Sequence, residues 1–184
     1  AYNTAIGFGA GKVMTTGALN TLVGGEAGDS LTTGSRNVAI GTSALATEDA
    51  GSRNTAIGYA ALNALDAGAN AYNVAVGYEA GLAMTTGLKN TLIGANAGIA
   101  MTESYYNVAV GFESLKTSIG YGYNTAVGYQ SLYTLNATGA NGYNVAVGFQ
   151  AGYGMTSGTN NTIVGALAGD ALTTGASNVA IGKD

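Results

Sequence analysis

A five-residue pattern, Asn-x-(Ala/Leu)-(Ile/Val)-Gly with Ile once at the third place, recurs eleven times along this chain. It begins at Asn3, Asn20, Asn37, Asn54, Asn73, Asn90, Asn107, Asn124, Asn144, Asn161 and Asn178, at intervals of 17, 17, 17, 19, 17, 17, 17, 20, 17 and 17 residues. Self-similarity at a short fixed period means one structural unit stacked many times, so the sequence predicts a solenoid or fibre in place of a compact globule. Each repeat is one coil, and 1–184 reads as a single repeat array.

A second period overlies the first. The residue four after the motif Gly runs Gly11, Gly28, Leu45, Leu62, then Gly81, Gly98, Leu115, Leu132, then Gly152, Gly169, which defines a super-repeat of four coils. The super-repeats span 1–70, 71–141 and an incomplete 142–184. The extra residues of the longer intervals fall near Ala67–Ala71 and near Thr138–Gly142, between motifs, and are expected as bulged loops. The chain opens on Ala1-Tyr2-Asn3 and closes just after the Asn178 motif, and is expected to be an excerpt or a processed piece of a longer array.

Within the motif the residues are β-branched or small and Gly closes the run, which favours a short strand over a helix. Period-two geometry puts the second and fourth positions (Val38 and Ile40, Val74 and Val76) on one face and the third on the other. The third position is Ala except at Leu22, Leu92 and Ile163, in the second coil of each super-repeat. Both faces are therefore apolar, and a strand apolar on both sides needs a second layer or another chain. The candidates for that oligomer contact are Ala39, Ala109, Leu22, Leu92 and Ile163. The residue after the motif Gly is aromatic in most coils (Phe8, Tyr59, Tyr78, Phe112, Tyr129, Phe149) but Gly25, Ala95 or Ala166 where the third position is large. Close packing between the two sites predicts such a trade of volume, and so does shared descent of the super-repeat.

The second half of each coil, as in Tyr59–Leu65, reads as a second strand or as a helical turn, and seven residues of periodicity do not separate them. Met14, Met84, Met101 and Met155 share a position with Leu31, Leu65, Leu135 and Leu172 and are expected to fill the coil interior. The eleven Asn are expected to form a ladder of amide hydrogen bonds up the stack; local turn preference is the competing explanation.

The Asn-(Thr/Val)-Ala-(Ile/Val)-Gly-Tyr-x-Ala-Leu…Thr-Gly pattern resembles the repeats of phage and virus tail fibres. It is also similar to the Asn-Ser-Val-Ala-Ile-Gly repeats of trimeric autotransporter adhesin heads, although those repeats are shorter than 17 residues. The resemblance covers the whole chain. It implies an all-β, left-handed parallel β-roll in which three chains lie side by side as a trimeric fibre.

Chemistry leaves little trace. The chain has no His, Cys, Trp or Pro, so the side chains most used for nucleophilic, acid–base or metal chemistry are missing, and no catalytic, cofactor or metal residues are predicted. Gly7-Phe-Gly-Ala-Gly11-Lys12 only superficially looks like a phosphate loop, because Val13 stands where Ser or Thr is needed. A net charge of −4 disfavours nucleic acid, and no apolar run is long enough to insert into a membrane. The expected function is the non-enzymatic shaft of a virion fibre or a bacterial surface filament, extracellular and serving attachment. The alternative is an adhesin whose roll surface binds matrix, a cell-surface receptor or glycans, with Tyr72, Tyr106, Tyr123 and Tyr143 as glycan contacts; an ice-binding solenoid ranks third.

Overall fold

The computed structural model describes residues 2–120, 122–136 and 141–184. It is a parallel β-solenoid. Eleven strands of three residues, β1 (Thr4–Ile6), β2 (Thr21–Val23), β3 (Val38–Ile40), β4 (Thr55–Ile57), β5 (Val74–Val76), β6 (Thr91–Ile93), β7 (Val108–Val110), β8 (Thr125–Val127), β9 (Val145–Val147), β10 (Thr162–Val164) and β11 (Val179–Ile181), stack in sequence order into one sheet. Every strand pairs in register with the next, motif position to motif position, as in Thr21↔Val38 and Leu22↔Ala39.

The second half of the coil is neither strand nor helix. It is a run of turns in which the second and fourth residues after the motif Gly take positive φ, for example Glu26 (58°), Leu45 (53°) and Leu62 (49°). A non-glycine residue pays roughly 1–2 kcal/mol for that conformation. The return is that these residues aim their N–H groups along the stack: Glu26 N–H donates to Phe8 C=O (2.7 Å) and Leu45 N–H to Ala61 C=O (3.0 Å). The motif Gly has a different reason. Gly24 sits at φ 135°, and a Cβ there would stand 2.6 Å from the Gly41 carbonyl carbon of the next coil. Any side chain would push the coils apart.

The third strand position points into the coil interior. Leu22, Ala39, Leu92, Ala109 and Ile163 are all 0% exposed within the single chain. The proposed oligomer contacts are thereby corrected: these five residues build the chain's own core, and it is positions two and four that face outward. The volume trade is corrected too. The aromatic residues after the motif Gly are exposed, Phe8 and Tyr59 among them, so they do not compete with position three. The partner of position three is the residue four after Gly. A Cβ on Gly11 would approach Leu22 Cδ1 to 2.8 Å and one on Gly28 would approach its Cδ2 to 3.0 Å. Gly81 and Gly98 stand against Leu92 in the same way. Where the fourth residue is Leu (Leu45, Leu62, Leu115, Leu132), the third strand position is Ala; where both are small, as at Ala75 and Gly81, leucines of the coils on either side fill the space, and a Cβ on Gly81 would meet Leu62 Cδ2 at 2.9 Å and Leu92 Cδ1 at 2.8 Å.

The residue seven after Gly completes the core with Leu31, Leu65, Met84, Met101, Leu135 and Met155, all buried. Two coils break this column with Glu48 and Ser118, both also buried. The insertion near Ala67–Ala71 keeps partial order through a parallel bridge, Ser52↔Asn70. The insertion near Thr138–Gly142 lies largely outside the described residues. Among the described residues no helix is long and apolar enough to cross a membrane.

Candidate functional surface

Exposure alternates through β2 to β10 and their flanks. From Tyr72 to Tyr78, residues 72, 74, 76 and 78 are exposed or half-exposed, while 73 and 75 are buried. The outward face is thus four residues wide and runs the length of the sheet. Its two central columns, from Thr4 and Ile6 to Val179 and Ile181, contain only Thr, Val and Ile. No charged side chain interrupts them.

Two ladders flank these columns. Beside the C-terminal ends of the strands, Tyr59 stacks on Tyr78 (centroids 5.3 Å), Phe112 on Tyr129 (5.5 Å) and Tyr129 on Phe149 (5.3 Å). Beside the N-terminal ends stands the residue before each motif Asn. There Tyr106 stacks on Tyr123 (5.0 Å) and Tyr123 on Tyr143 (4.9 Å), Arg53 lies over Tyr72 (5.4 Å) and Lys89 over Tyr106 (4.9 Å). Lys89 Nζ also donates to the Tyr106 hydroxyl (3.1 Å), and that bond, with the Tyr106 charge, raises the lysine pKa. Desolvation, then the Tyr106 and Tyr143 hydroxyls, raise that of Tyr123. The four tyrosines expected to hold glycans, Tyr72, Tyr106, Tyr123 and Tyr143, therefore share one column, but most ring faces in it are covered by a neighbour. Their edges and hydroxyls are what they offer to solvent.

Under this face runs the Asn row, buried from Asn20 to Asn161. At all ten steps the backbone N–H of one Asn donates to Oδ1 of the Asn below, at 2.9–3.2 Å. At seven steps the side-chain amide nitrogen donates to the same oxygen, at 3.0–3.2 Å. The ladder therefore differs from a purely amide-to-amide one: its constant donor is the backbone. The amide nitrogen also closes the coil, as in Asn20 Nδ2 to Gly34 C=O (2.9 Å) and Asn144 Nδ2 to Gly158 C=O (2.9 Å). Asp fails here because it cannot donate, and Ser because it cannot reach both partners.

The motif did not reveal Glu48. Its carboxylate accepts from Gly51 N–H (2.6 Å) and, across to the next coil, from Ala67 N–H (3.2 Å). Desolvation raises its pKa against those bonds, and Asp66 adds to the rise. The detectable signal was a single acid in a Met/Leu column. Among the described residues the only ion pair is Lys116–Glu113 (2.6 Å), and no group of three or more acidic residues is placed to hold a metal ion.

Comparison with protein-family models, with curated proteins and with solved structures finds no match to this chain.

Proposed function

We propose that this chain is a length of structural shaft, in a phage or virus tail fibre or a comparable extracellular filament of a virion or bacterial surface, assembled as a parallel homotrimer through the outward sheet face. The observation that carries the reading is the uncharged Thr/Val and Ile/Val double column between two aromatic ladders, continuous over eleven strands. At about 4.8 Å per coil and about 6.8 Å between alternate residues, a face four residues wide covers roughly 1,000 Å². A trimer divides that face between two neighbours, roughly 500 Å² from each chain at each contact and about 1,000 Å² in total, the lower bound for a specific interface. Stacking also tunes length without changing cross-section, which suits a spacer that holds a receptor-binding part away from its base.

The test is the mass and shape of the particle in solution. Sedimentation equilibrium should give three chains, and electron microscopy should give straight rods on the order of 50 Å long for eleven coils; a folded monomer at all concentrations overturns the assembly.

The second reading is an adhesin that binds matrix or glycans on the roll itself. It draws support from the exposed Tyr72–Tyr143 column. Sugar stacking needs free ring faces, and the ladder covers most of them, which favours the shaft. Selective binding on a glycan array, lost in Tyr123→Ala, would reverse the ranking.

A further inference from the structure

The ladder of rings after the motif Gly has a missing rung. Tyr78 stacks on Tyr59 below it (5.3 Å) and Phe112 on Tyr129 above it (5.5 Å), and Ala95 occupies the one coil between Tyr78 and Phe112. A methyl group cannot cover a ring, so the upper side of Tyr78 and the lower side of Phe112 stand opposite each other across two coil rises, about 10 Å. Tyr78 is accordingly 52% exposed, against 43% for Tyr129, which has a ring on either side. Gly25 and Ala166 leave gaps as well, but Thr42 and Lys183 stand on their far sides where a ring would be needed.

Elsewhere the chain covers ring faces with its own cations. Lys89 fills the matching one-coil gap between Tyr72 and Tyr106, with Nζ 4.9 Å from the Tyr106 centroid. Arg53 caps Tyr72 from below (5.4 Å), and Lys116 caps Tyr133 in the same way (5.0 Å). Among the described residues no cation lies over a ring of the ladder after the motif Gly. The gap at Ala95 is bordered by acceptors instead. Asn96, next in the chain to Ala95, has a buried Oδ1 with no hydrogen-bond partner. The Glu79 carboxylate lies beside the Tyr78 hydroxyl, whose pKa it raises. Glu79 has no ion partner among the described residues, whereas Glu113, beside Phe112, is neutralised by Lys116.

We propose that this gap is a binding site for a small alkylated ammonium ion, with Tyr78 and Phe112 as its walls, Ala95 as its floor, and Glu79 and Asn96 as its acceptors. A cation within about 6 Å of a ring centroid, over its face, is attracted by the ring quadrupole, and midway across the gap it stands about 5 Å from both rings. The width suits an alkylated nitrogen, because methyl carbons that touch a ring at about 3.5–4.0 Å put the nitrogen about 5 Å from it. A primary ammonium is more strongly hydrated and loses more on entering. A neutral ring would fit as one more rung but would leave the Glu79 charge and the Asn96 oxygen unmet, and a phosphate-bearing ring would be repelled.

The test titrates choline against the full chain and follows the choline methyl resonance by nuclear magnetic resonance, with dimethylbutanol, its uncharged carbon isostere, as the control. Choline should bind at least about fivefold more tightly than the isostere. Ala95→Phe supplies the missing rung on an outward position, so its circular dichroism should match wild type while choline binding weakens at least about tenfold; Tyr78→Ala should weaken it as much. Glu79→Gln should weaken binding about threefold and remove most of its dependence on salt. Choline binding that survives Ala95→Phe, equal binding of the isostere, or no choline binding by wild type overturns the site. Uptake of a neutral methyl glycoside in place of choline, abolished by Ala95→Phe, overturns it in favour of a sugar platform. The inference does not rest on the shaft reading, and sedimentation of the same samples reports assembly separately.

Discussion

Coils three and four, around Glu48 and Arg53, and coils seven and eight, around Ser118 and Tyr123, occupy equivalent places 70 residues apart and handle polarity in opposite ways. The first region buries its charge. Glu48 replaces a core Met or Leu and holds Gly51 and the inserted Ala67 by their N–H groups, while the residues equivalent to the second region's network are the uncharged Ser43, Ala46, Ala60 and Asn63. At the equivalent place the second region buries the neutral Ser118 and moves its charge outside. There Lys116 pairs with Glu113 (2.6 Å) and reaches the Tyr133 hydroxyl (3.1 Å), Gln130 donates to Glu113 (2.7 Å), and Gln150 extends the row to Gln130 (2.8 Å). The Asn ladder follows the same division. Asn107 and Asn124 each donate both N–H and amide nitrogen to the Asn below, while Asn54 has the backbone bond alone and its amide nitrogen is unpartnered. One backbone thus tolerates either solution, provided the next coil supplies donors where a carboxylate is buried.

The largest effect should ignore this division. Ala39→Asp and Ala109→Asp each place a carboxylate in a site that is 0% exposed and surrounded by Leu and Ala. Both should cost at least about 4 kcal/mol, or prevent folding of the surrounding coils. Denaturant titration should find the two alike; a mild loss confined to assembly would restore these alanines as intermolecular contacts.

The ladder should distinguish the regions. Asn124→Ala removes an oxygen that accepts Asn144 N–H (3.2 Å) and Nδ2 (3.1 Å), and an amide that donates to Asn107 and Gly122. We expect about 2–3 kcal/mol, against about 1 kcal/mol for Asn54→Ala, which chiefly strands the Asn73 N–H. Equal losses in thermal unfolding would mean that the amide nitrogen bonds contribute nothing.

Much of this architecture was legible in the sequence because the repeat writes it eleven times. An Asn that never changes announced a position with several simultaneous bonds, and Val-Ala-Ile-Gly announced a strand. The inside and outside of that strand were not legible. Ala39 is as small and apolar as a shared axis requires, and Val38 and Ile40 are as apolar as a core requires, so composition is symmetric where the structure is not. The turns were missed because Glu26, Leu45 and Lys89 are not residues that advertise positive φ; inter-coil hydrogen bonds override the local preference. Of the candidate surface, the tyrosine column was visible in the spacing, but that its rings stack on each other could be seen only once the coil rise was fixed.

Glu48 offers a sharper cut through the first region. Glu48→Ala leaves Gly51 and Ala67 N–H without the carboxylate oxygens, and should cost about 2 kcal/mol while freeing the inserted segment. Amide hydrogen exchange should accelerate at Ala67 and Gly68 and stay unchanged at the equivalent distance from Ser118. Unchanged protection at Ala67 would show that the insertion is held by its Ser52↔Asn70 bridge alone.

The smallest effect is also the most direct test of the contrast, because acid should act on the two regions in opposite directions. Burial raises the Glu48 pKa above its unfolded value, so its contribution is most favourable below the unfolded pKa and declines as pH rises through the folded one. Burial pulls Glu113 the same way, but the bonds from Lys116 and Gln130 outweigh it and leave its pKa lowered; its contribution is present above the unfolded pKa and is lost as pH falls through the folded one. Acidification from neutrality toward the ordinary glutamate range should therefore raise the contribution of Glu48 to folding stability, read as a rise in the denaturant midpoint relative to Glu48→Gln, even as its bonds to Gly51 and Ala67 weaken. Continued acidification should loosen the Glu113–Lys116–Gln130 network, and Lys116→Ala should reproduce that loosening at neutral pH for less than about 1 kcal/mol, since the pair is near the surface. Glu48→Gln should abolish the first response and leave the second intact. If both regions moved in the same direction with pH, in wild type and in Glu48→Gln alike, the buried carboxylate would not be what distinguishes them.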